Sequence, residues 1–217
     1  METRNALVTG ASGLVGGHLL DALLEDPLYQ QVHSLGRRAL PREHAKLEQR
    51  TVDFARLEDE SLPAAEDAFC CLGTTLKKAG SQEAFRAVDH DAVLAFARAA
   101  RRAGARRFLV VTALGADPHS RIFYNRVKGE VEEALQGLGF ESLVLLRPSL
   151  LLGERAESRP GERAAIVLSR ALGPLLRPFG GRPIEARTVA RAMRALAHQA
   201  PPGVRVALSG ELQELGR

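Results

Sequence analysis

Cysteine is scarce in this chain of 217 residues, which contains only Cys70 and Cys71. The two are neighbours inside an apolar run, so they cannot link distant segments as the disulfides of secreted domains do. No signal-peptide pattern precedes the first apolar run. We therefore expect reduced thiols and a cytoplasmic protein.

Long hydrophobic runs are also missing. The longest apolar stretch, "LVLLRPSLLLG" (143–153), is interrupted by Arg147 and Pro148. It is far shorter than the roughly 20 residues that a membrane helix needs. The sequence therefore predicts no membrane span.

The chain has no large excess of one charge, because its net charge is only +4. Its one dense basic cluster, at 101–107, lies at the end of a predicted helix, where cations interact favourably with the helix dipole. Because no basic stripe with interleaved aromatic residues is present, we expect no nucleic-acid partner.

Metal and hydrolase motifs are absent as well. The six histidines are dispersed, with no His-x-x-x-His and no Cys-x-x-Cys, so we expect no metal site. No Gly-x-Ser-x-Gly nucleophile elbow is present either. The expected partner is a small-molecule substrate.

What the sequence does contain is a regular alternation of strand-like and helical patterns, which is typical of an α/β fold with a parallel sheet. The predicted helices are Val15–Leu24, Ser81–Arg102, Phe123–Leu138 and Thr188–His198. The predicted strands are Asn5–Thr9, Val32–Gly36, Thr51–Asp53, Ala68–Leu72, Arg107–Thr112, Ser142–Arg147 and Val204–Leu208.

This alternation predicts a single Rossmann-type domain over 1–217, built on a doubly wound parallel sheet of about seven strands. The stretch 153–185, rich in Gly, Pro and Arg, does not fit the alternation. Loops beyond the carboxyl ends of the strands form the ligand crevice in such folds. We therefore expect 153–185 to be a small C-terminal substrate-side segment or lid.

The stretch "VTGASGLVGGHLL" places Gly10, Gly13 and Gly16 between a predicted strand and a predicted helix. Gly10 would allow a tight turn, Gly13 a close approach of pyrophosphate, and Gly16 close packing of helix on strand. The helix N-terminus would direct free N–H groups at the anion. The spacing Gly-x-x-Gly-x-x-Gly is a variant of the usual fingerprint, so a glycine-rich turn without a ligand remains an alternative.

The second predicted strand ends in "SLGRRAL", with Arg37 and Arg38 and no acid before Glu43. An acid at this point would bind the adenosine ribose of NAD, whereas arginine suits the extra phosphate of NADP. We predict NADPH as the cofactor. The alternative is that both arginines are simply solvated.

Two further strand ends carry cofactor-binding candidates. Asp53, in "VDF", is placed to accept a hydrogen bond from the adenine amino group, or equally to cap the following helix. In "CCLGTT", Leu72, Gly73 and Thr74 follow the fourth predicted strand and are expected along the cofactor.

Tyr124 and Lys128 are four residues apart on a predicted helix and therefore share one face. Carbonyl reduction by hydride needs a proton donor, and a neighbouring ammonium lowers the pKa of a tyrosine. The lysine can also hydrogen-bond the nicotinamide ribose. A surface pair without function is the alternative, but the helix follows the fifth strand, at the edge where ligands bind.

The chain resembles the atypical short-chain dehydrogenases/reductases related to the Tat-interacting-protein oxidoreductase. The resemblance runs over nearly the whole chain through "GASG", "GRR", "VDF", "FCCLGTT", "KAG", "VDHD", "GAD", "YNRVKGEVE", "RPSLLL" and "ESRPGE". It implies an NADPH-dependent oxidoreductase with Tyr124 as the active-site residue. The cofactor contacts that it implies are Gly10, Ser12, Gly13, Leu14, Val15, Arg37, Arg38, Leu72, Gly73, Tyr124, Lys128, Leu151 and Arg159.

The sequence departs from the family pattern in two places. The serine pair that often ends the fifth strand is Thr112-Ala113 here. Thr112 is the candidate for the hydroxyl that polarises the substrate carbonyl, and the alternative is that its side chain points to the other side of the strand. The proton-relay asparagine of better-known dehydrogenases is absent, and Asp89 and His90 stand in about that place. A regulatory protein that binds NADPH with little turnover, and that acts through a protein partner, is therefore the alternative function.

Overall fold

A computed structural model describes residues 3–153 and 182–217. The strands of the described residues are β1 Arg4–Thr9, β2 Tyr29–Gly36, β3 Leu47–Thr51, β4 Asp67–Cys70, β5 Arg107–Val111, β6 Ser142–Arg147, β7 Leu151–Leu152, β8 Ile184–Glu185 and β9 Gly203–Leu208. Seven of them form one parallel sheet in the order β3-β2-β1-β4-β5-β6-β9, and β7 pairs with β8 separately.

The helices of the described residues are α1 Leu14–Leu24, α2 Leu76–Ala79, α3 Gln82–Arg86, α4 Ala92–Arg102, α5 Phe123–Gln136, α6 Ala186–Gln199 and α7 Ser209–Leu215. A 3₁₀ turn covers Leu57–Asp59, and a π-helical turn, Ala87–Asp91, joins α3 to α4. In the described ranges, no helix has the length and apolar character needed to cross a bilayer.

Helices cover the sheet on both faces, which explains why the central strands are almost wholly buried. Successive residues of β1 point to opposite faces, so Val8 packs in one core and Leu7 in the other. Leu23 of α1 and Met193 of α6 belong to the core on the side of Val8. Phe96 of α4 packs in the core on the side of Leu7.

The amino edge of the sheet contains a buried carboxylate, Asp67, at the start of β4. The Tyr29 hydroxyl donates a hydrogen bond to Asp67 at 2.7 Å, and Arg107 and Arg4 form ion pairs with it. Burial, together with the charge of Asp67, raises the pKa of Tyr29 far above its usual range. Tyr29 therefore keeps its proton throughout the ordinary pH range.

Strand order reverses beside β1, because β2 pairs with one side of β1 and β4 with the other. In doubly wound sheets the crevice beyond the carboxyl ends of the strands at this point binds the ligand. The loops after β1, β2, β4 and β5 all start from this edge. The fold thus brings the predicted site segments to one side of the sheet.

The predicted doubly wound parallel sheet of about seven strands is confirmed. The third strand was predicted at Thr51–Asp53 but lies at Leu47–Thr51, because the chain turns at Asp53, whose carboxylate accepts a hydrogen bond from the Ala55 N–H. Of the expected segment 153–185, residues 154–181 lie outside the described residues.

Candidate active site

The loop between β1 and α1 is shaped by two glycines that no other residue could replace without strain. Gly10 has a φ of 77°, and a Cβ there would lie 2.3 Å from the carbonyl oxygen of Cys71. A Cβ on Gly16 would lie 2.1 Å from the Gly10 carbonyl oxygen. The glycines therefore bring β1, α1 and the end of β4 into direct contact.

The N-terminus of α1 is open to a ligand. Gly13 is its N-cap residue, and no side chain caps the first turn. Ser12 and Gly13 are exposed, Leu14 is half-buried, and Val15 is buried. The uncapped N–H groups and the positive end of the helix dipole fit a pyrophosphate, so the residues present suit a dinucleotide.

Arg37 and Arg38 follow β2 and are both exposed. In the parts of the chain that the structure describes, neither takes part in an ion pair or a side-chain hydrogen bond. Asp53 is exposed too, and its Oδ1 accepts a hydrogen bond from the Ala55 N–H at 3.0 Å. This hydrogen bond closes a turn, because the next helical turn, Leu57–Asp59, has Arg56 as its N-cap and no side-chain cap. The contact of Asp53 with adenine stays a prediction.

The loop after β4 lies directly against α5. A Cβ added to Gly73 would lie 3.5 Å from Oδ1 of Asp89 and 4.0 Å from Nζ of Lys128. The N–H of Thr74 donates to Oδ2 of Asp89 at 2.8 Å. Leu72 is half-buried and packs at the margin of the core. The structure thus brings Gly73 and Thr74 together with Lys128.

Tyr124 and Lys128 lie in the first turns of α5. Tyr124 is half-buried, and its ring packs on the fully buried Phe85 of α3, with ring centroids 5.5 Å apart. The Lys128 side chain is only 4% exposed. The tyrosine ring is fixed by an apolar neighbour, and the lysine is held beneath the loop that contains Gly73.

Asp89 is a site residue to which sequence reasoning gave no role. It lies in the π-helical turn between α3 and α4 and is 1% exposed. Its Oδ1 lies 2.8 Å from Nζ of Lys128. The only sequence signal was its place where the wider family has an asparagine, since the two partners are far apart in the chain.

The pKa of Tyr124 combines the predicted effect of Lys128 with the opposite effect of burial. Burial raises this pKa most, Lys128 lowers it as predicted, Asp89 raises it further, and the net shift is upward. Burial alone would lower the pKa of Lys128, but Asp89 and Tyr124 outweigh burial and raise it. The result is a protonated phenol beside a neutralised ammonium.

Thr112 follows β5, but its hydroxyl does not point to an open edge. The residue is buried, and Oγ1 donates to Oε1 of Glu132 at 2.5 Å. Glu132 is also bound by Arg147, with Nε to Oε1 at 3.0 Å. No hydrogen bond in the described chain joins Thr112 to Tyr124 or Lys128. Because the single proton of Thr112 is directed at Glu132, this arrangement does not favour the polarising role, which stays a prediction.

The loop after β6 approaches the glycine loop. A Cβ on Gly153 would lie 2.7 Å from Cδ1 of Leu14, at the start of α1. Leu151, in β7, is half-buried and packs against the core beneath α1. Arg159, the other contact expected in this region, lies outside the described residues.

Comparisons with known proteins indicate the family of the chain. A family model described as NAD(P)H-binding matches residues 10–200. Protein HTATIP2 of Rattus norvegicus is 42% identical over 168 residues, covering 75% of this chain and 69% of the rat protein. The mitochondrial protein fmp52 of Aspergillus fumigatus is 35% identical over 214 residues, covering 92% of this chain and 91% of its own.

A similar solved structure is an oxidoreductase of the short-chain dehydrogenase/reductase family from Burkholderia thailandensis. It matches with a TM-score of 0.68 at 19% identity, covering 98% of this chain and 94% of that chain. At this identity the match shows the fold alone. The fold of this chain is that of the short-chain dehydrogenases/reductases.

The relatives overturn the expected location. Several fungal relatives are named mitochondrial, among them those of Emericella nidulans, Eremothecium gossypii and Aspergillus fumigatus. The prediction of a cytoplasmic protein is therefore wrong on this comparison. It rested on an isolated cysteine pair and on the absence of a signal-peptide pattern, neither of which distinguishes the compartments within a cell.

Proposed function

Because the chain belongs to the NAD(P)H-binding branch of the short-chain dehydrogenases/reductases that contains HTATIP2 and FMP52, we propose that it is an NADPH-dependent reductase of carbonyl compounds. The observation that carries the proposal is the Tyr124–Lys128 pair. Lys128 lies close to Gly73, at the edge of the sheet from which the glycine loop also starts. A surface pair without function would not have its lysine buried there.

The cofactor-binding residues follow from the geometry of that edge. The backbone of 10–15 would bind the pyrophosphate, Arg37 and Arg38 the 2′-phosphate, and Leu72 and Gly73 the central part of the dinucleotide. The Lys128 ammonium forms an ion pair with Asp89 and carries three protons, so it can also donate to a ribose hydroxyl. When bound, NADPH supplies the hydride that the carbonyl carbon accepts.

The side chains supply the proton. As the carbonyl carbon gains hydride, its oxygen develops negative charge and takes the proton of the Tyr124 phenol. Phe85 fixes the plane of that phenol by packing on its ring. Lys128, although paired with Asp89, still lowers the pKa of Tyr124 and so partly stabilises the phenolate left after transfer, which then regains a proton from solvent.

The test is a screen of aldehydes, ketones and quinones for NADPH oxidation, with Tyr124→Phe as the key variant. Loss of a positioned proton donor should lower turnover by about 10²–10⁴-fold while NADPH still binds. Tyr29→Phe is the matched control, since it removes the chain's other phenol, at the amino edge of the sheet. Full turnover in Tyr124→Phe would contradict the assignment of the proton donor.

A regulatory protein that binds NADPH without turnover is the second candidate. The arrangement of Thr112 favours it, because its hydroxyl is buried in a hydrogen bond to Glu132 rather than free to polarise a carbonyl. Under this alternative, NADPH binds tightly, no carbonyl compound in the screen is reduced, and Tyr124→Phe changes neither result.

A further inference from the structure

The Asp89–Lys128 pair places a carboxylate beside the lysine that the proposed mechanism uses next to Tyr124. Both side chains are almost fully buried, and the 2.8 Å contact joins a carboxylate directly to the ammonium. Oδ2 of the same carboxylate accepts the Thr74 N–H at 2.8 Å. One oxygen of the carboxylate is thus hydrogen-bonded to the backbone, and the other lies beside the ammonium.

The elements around the pair supply few other ionisable groups. Within the described residues, the ionisable groups that affect the pKa of Lys128 are Asp89 from the π-helical turn, Tyr124 from the same helix and the Cys70 thiol from β4. The groups that affect the pKa of Tyr124 are Lys128 and Asp89, and the contact from α3 is the apolar ring of Phe85.

Glu132 lies one turn beyond Lys128 on α5, but Arg147 and Thr112 bind its carboxylate. Asp89 is therefore the carboxylate of the described chain that forms an ion pair with Lys128.

We propose that Asp89 is a positioning residue that neutralises Lys128 and so keeps the Tyr124 phenol protonated at neutral pH. The site then favours carbonyl reduction, which needs the phenol as an acid, over alcohol oxidation, which needs the phenolate as a base. This inference rests on the proposed reductase function for its direction of reaction. Its electrostatic part concerns three residues of the chain and holds without turnover.

Charge balance explains the effect. An isolated ammonium beside a phenol stabilises the phenolate and draws off its proton, but a carboxylate bound to that ammonium cancels most of the attraction. The direction of the Tyr124 pKa, upward through burial and through Asp89, agrees with this balance. Removing the carboxylate charge should therefore release the phenol proton at a lower pH.

The composition of the chain makes that proton directly observable. The protein has no tryptophan and only two tyrosines, so tyrosinate ultraviolet absorbance reports on Tyr29 and Tyr124 alone. Tyr29 donates to the buried Asp67 and ionises far above the usual range. A pH titration of the full chain should show one tyrosine transition, and Tyr124→Phe should abolish it.

The test compares Asp89→Asn with Asp91→Asn. Asp91 has a side chain that is 61% exposed and contacts His90, so its replacement removes the same charge without touching Lys128. Asp89→Asn should lower the midpoint of the Tyr124 transition by about one pH unit, a tenfold rise in its ionisation constant, whereas Asp91→Asn should leave it unchanged. An unchanged or raised midpoint in Asp89→Asn would overturn the proposal.

A second variant at the same position keeps the test valid if Asp89→Asn does not fold. Asp89→Ser keeps an oxygen for the Thr74 N–H and leaves room for water beside Lys128, and circular dichroism would establish that each variant is folded. It should lower the midpoint in the same direction.

Activity separates this proposal from the reductase assignment. If the enzyme turns over, the pH profile of alcohol oxidation should move to lower pH in Asp89→Asn by the same tenfold factor. A shifted titration without turnover in any variant would reject the reductase but retain the charge role of Asp89. Turnover that depends on Tyr124, together with an unshifted titration in Asp89→Asn, would retain the reductase and reject the charge role of Asp89.

Discussion

Arg37 and Arg38 give the clearest prediction at the scale of single residues. Both are exposed after β2 and form no ion pair within the described chain, so their guanidinium groups are available to a phosphate. NADPH should bind more tightly than NADH, and Arg37→Ala with Arg38→Ala should remove the preference at a cost of about 1.5–3 kcal/mol. Calorimetric titration of each protein with both cofactors measures the preference.

Arg101 provides the control for that experiment. It is exposed near the end of α4, where the chain returns to the amino edge of the sheet, and so lies away from the cofactor residues. Arg101→Ala should leave both affinities unchanged. Equal affinities of the unaltered protein for NADPH and NADH would refute the assignment of the two arginines.

Sequence patterns predicted those site residues whose partners are close in the chain or whose backbone is special. The spacing of Tyr124 and Lys128 places them on one helix face, and the glycines at 10 and 16 are required by close backbone contacts. The role of Asp89 could not be predicted this way, because its ion pair joins two helical segments that only the fold brings together. The direction of the Thr112 hydroxyl likewise depends on the packing of α5 against β5.

At the scale of elements, α5 is positioned by a very close approach of the loop after β5. A Cβ on Gly129 would lie 2.1 Å from the backbone nitrogen of Pro118. Gly129→Ala must therefore push the loop and α5 apart, although alanine is the better helix former. We expect a loss of about 1–3 kcal/mol in the free energy of unfolding, measured by urea denaturation, together with reduced turnover.

Gly137, at the end of the same helix, is the matched control. It has a φ of −73°, and a Cβ there would make only an ordinary contact, 3.5 Å from the Ala134 carbonyl oxygen. Gly137→Ala should be neutral or stabilise the protein by up to about 1 kcal/mol. Equal free energies of unfolding for the two variants would show that the loop at Pro118 can move away from α5 without loss of stability.

The longer elements could be predicted because each contains enough residues to show a repeating pattern of apolar residues. The bounds of β1, β5, β6 and α1 are within two residues of the predicted bounds. The helix predicted as continuous over Ser81–Arg102 contains the π-helical turn that carries Asp89, which no periodicity signals. Strands β7 and β8 have two residues each, too short for any alternation to appear.

At the scale of the whole molecule, one sheet connects the glycine loop after β1 to the C-terminal part of the described chain. Its seven strands are hydrogen-bonded side by side, with β3 at one edge and β9 at the other, and a hydrophobic core lies on each face. We predict that the chain is a single domain that unfolds in one transition, with equal calorimetric and van't Hoff enthalpies. NADPH at 100 times its dissociation constant should add about 2.7 kcal/mol and raise the midpoint by about 5–10 °C.

Differential scanning calorimetry with and without NADPH tests both statements. Two separate transitions, only one of which moved with NADPH, would mean that the sheet does not unfold as a unit. A single transition that NADPH leaves in place would argue against cofactor binding to the folded state.

The pairing of β7 with β8 has a consequence for how proteins of this design can diversify. Leu151 pairs with Ile184 and Leu152 with Glu185, and Ser149 Oγ donates to the Arg182 carbonyl oxygen at 2.6 Å. The two ends of the intervening chain are thus fastened together outside the main sheet. Because doubling the length of a closed loop costs only about 0.6 kcal/mol, that stretch can be lengthened, shortened or exchanged with little effect on the seven-stranded scaffold. The β7–β8 junction is therefore a position at which evolution, or a protein engineer, could exchange the intervening sequence without rebuilding the main sheet.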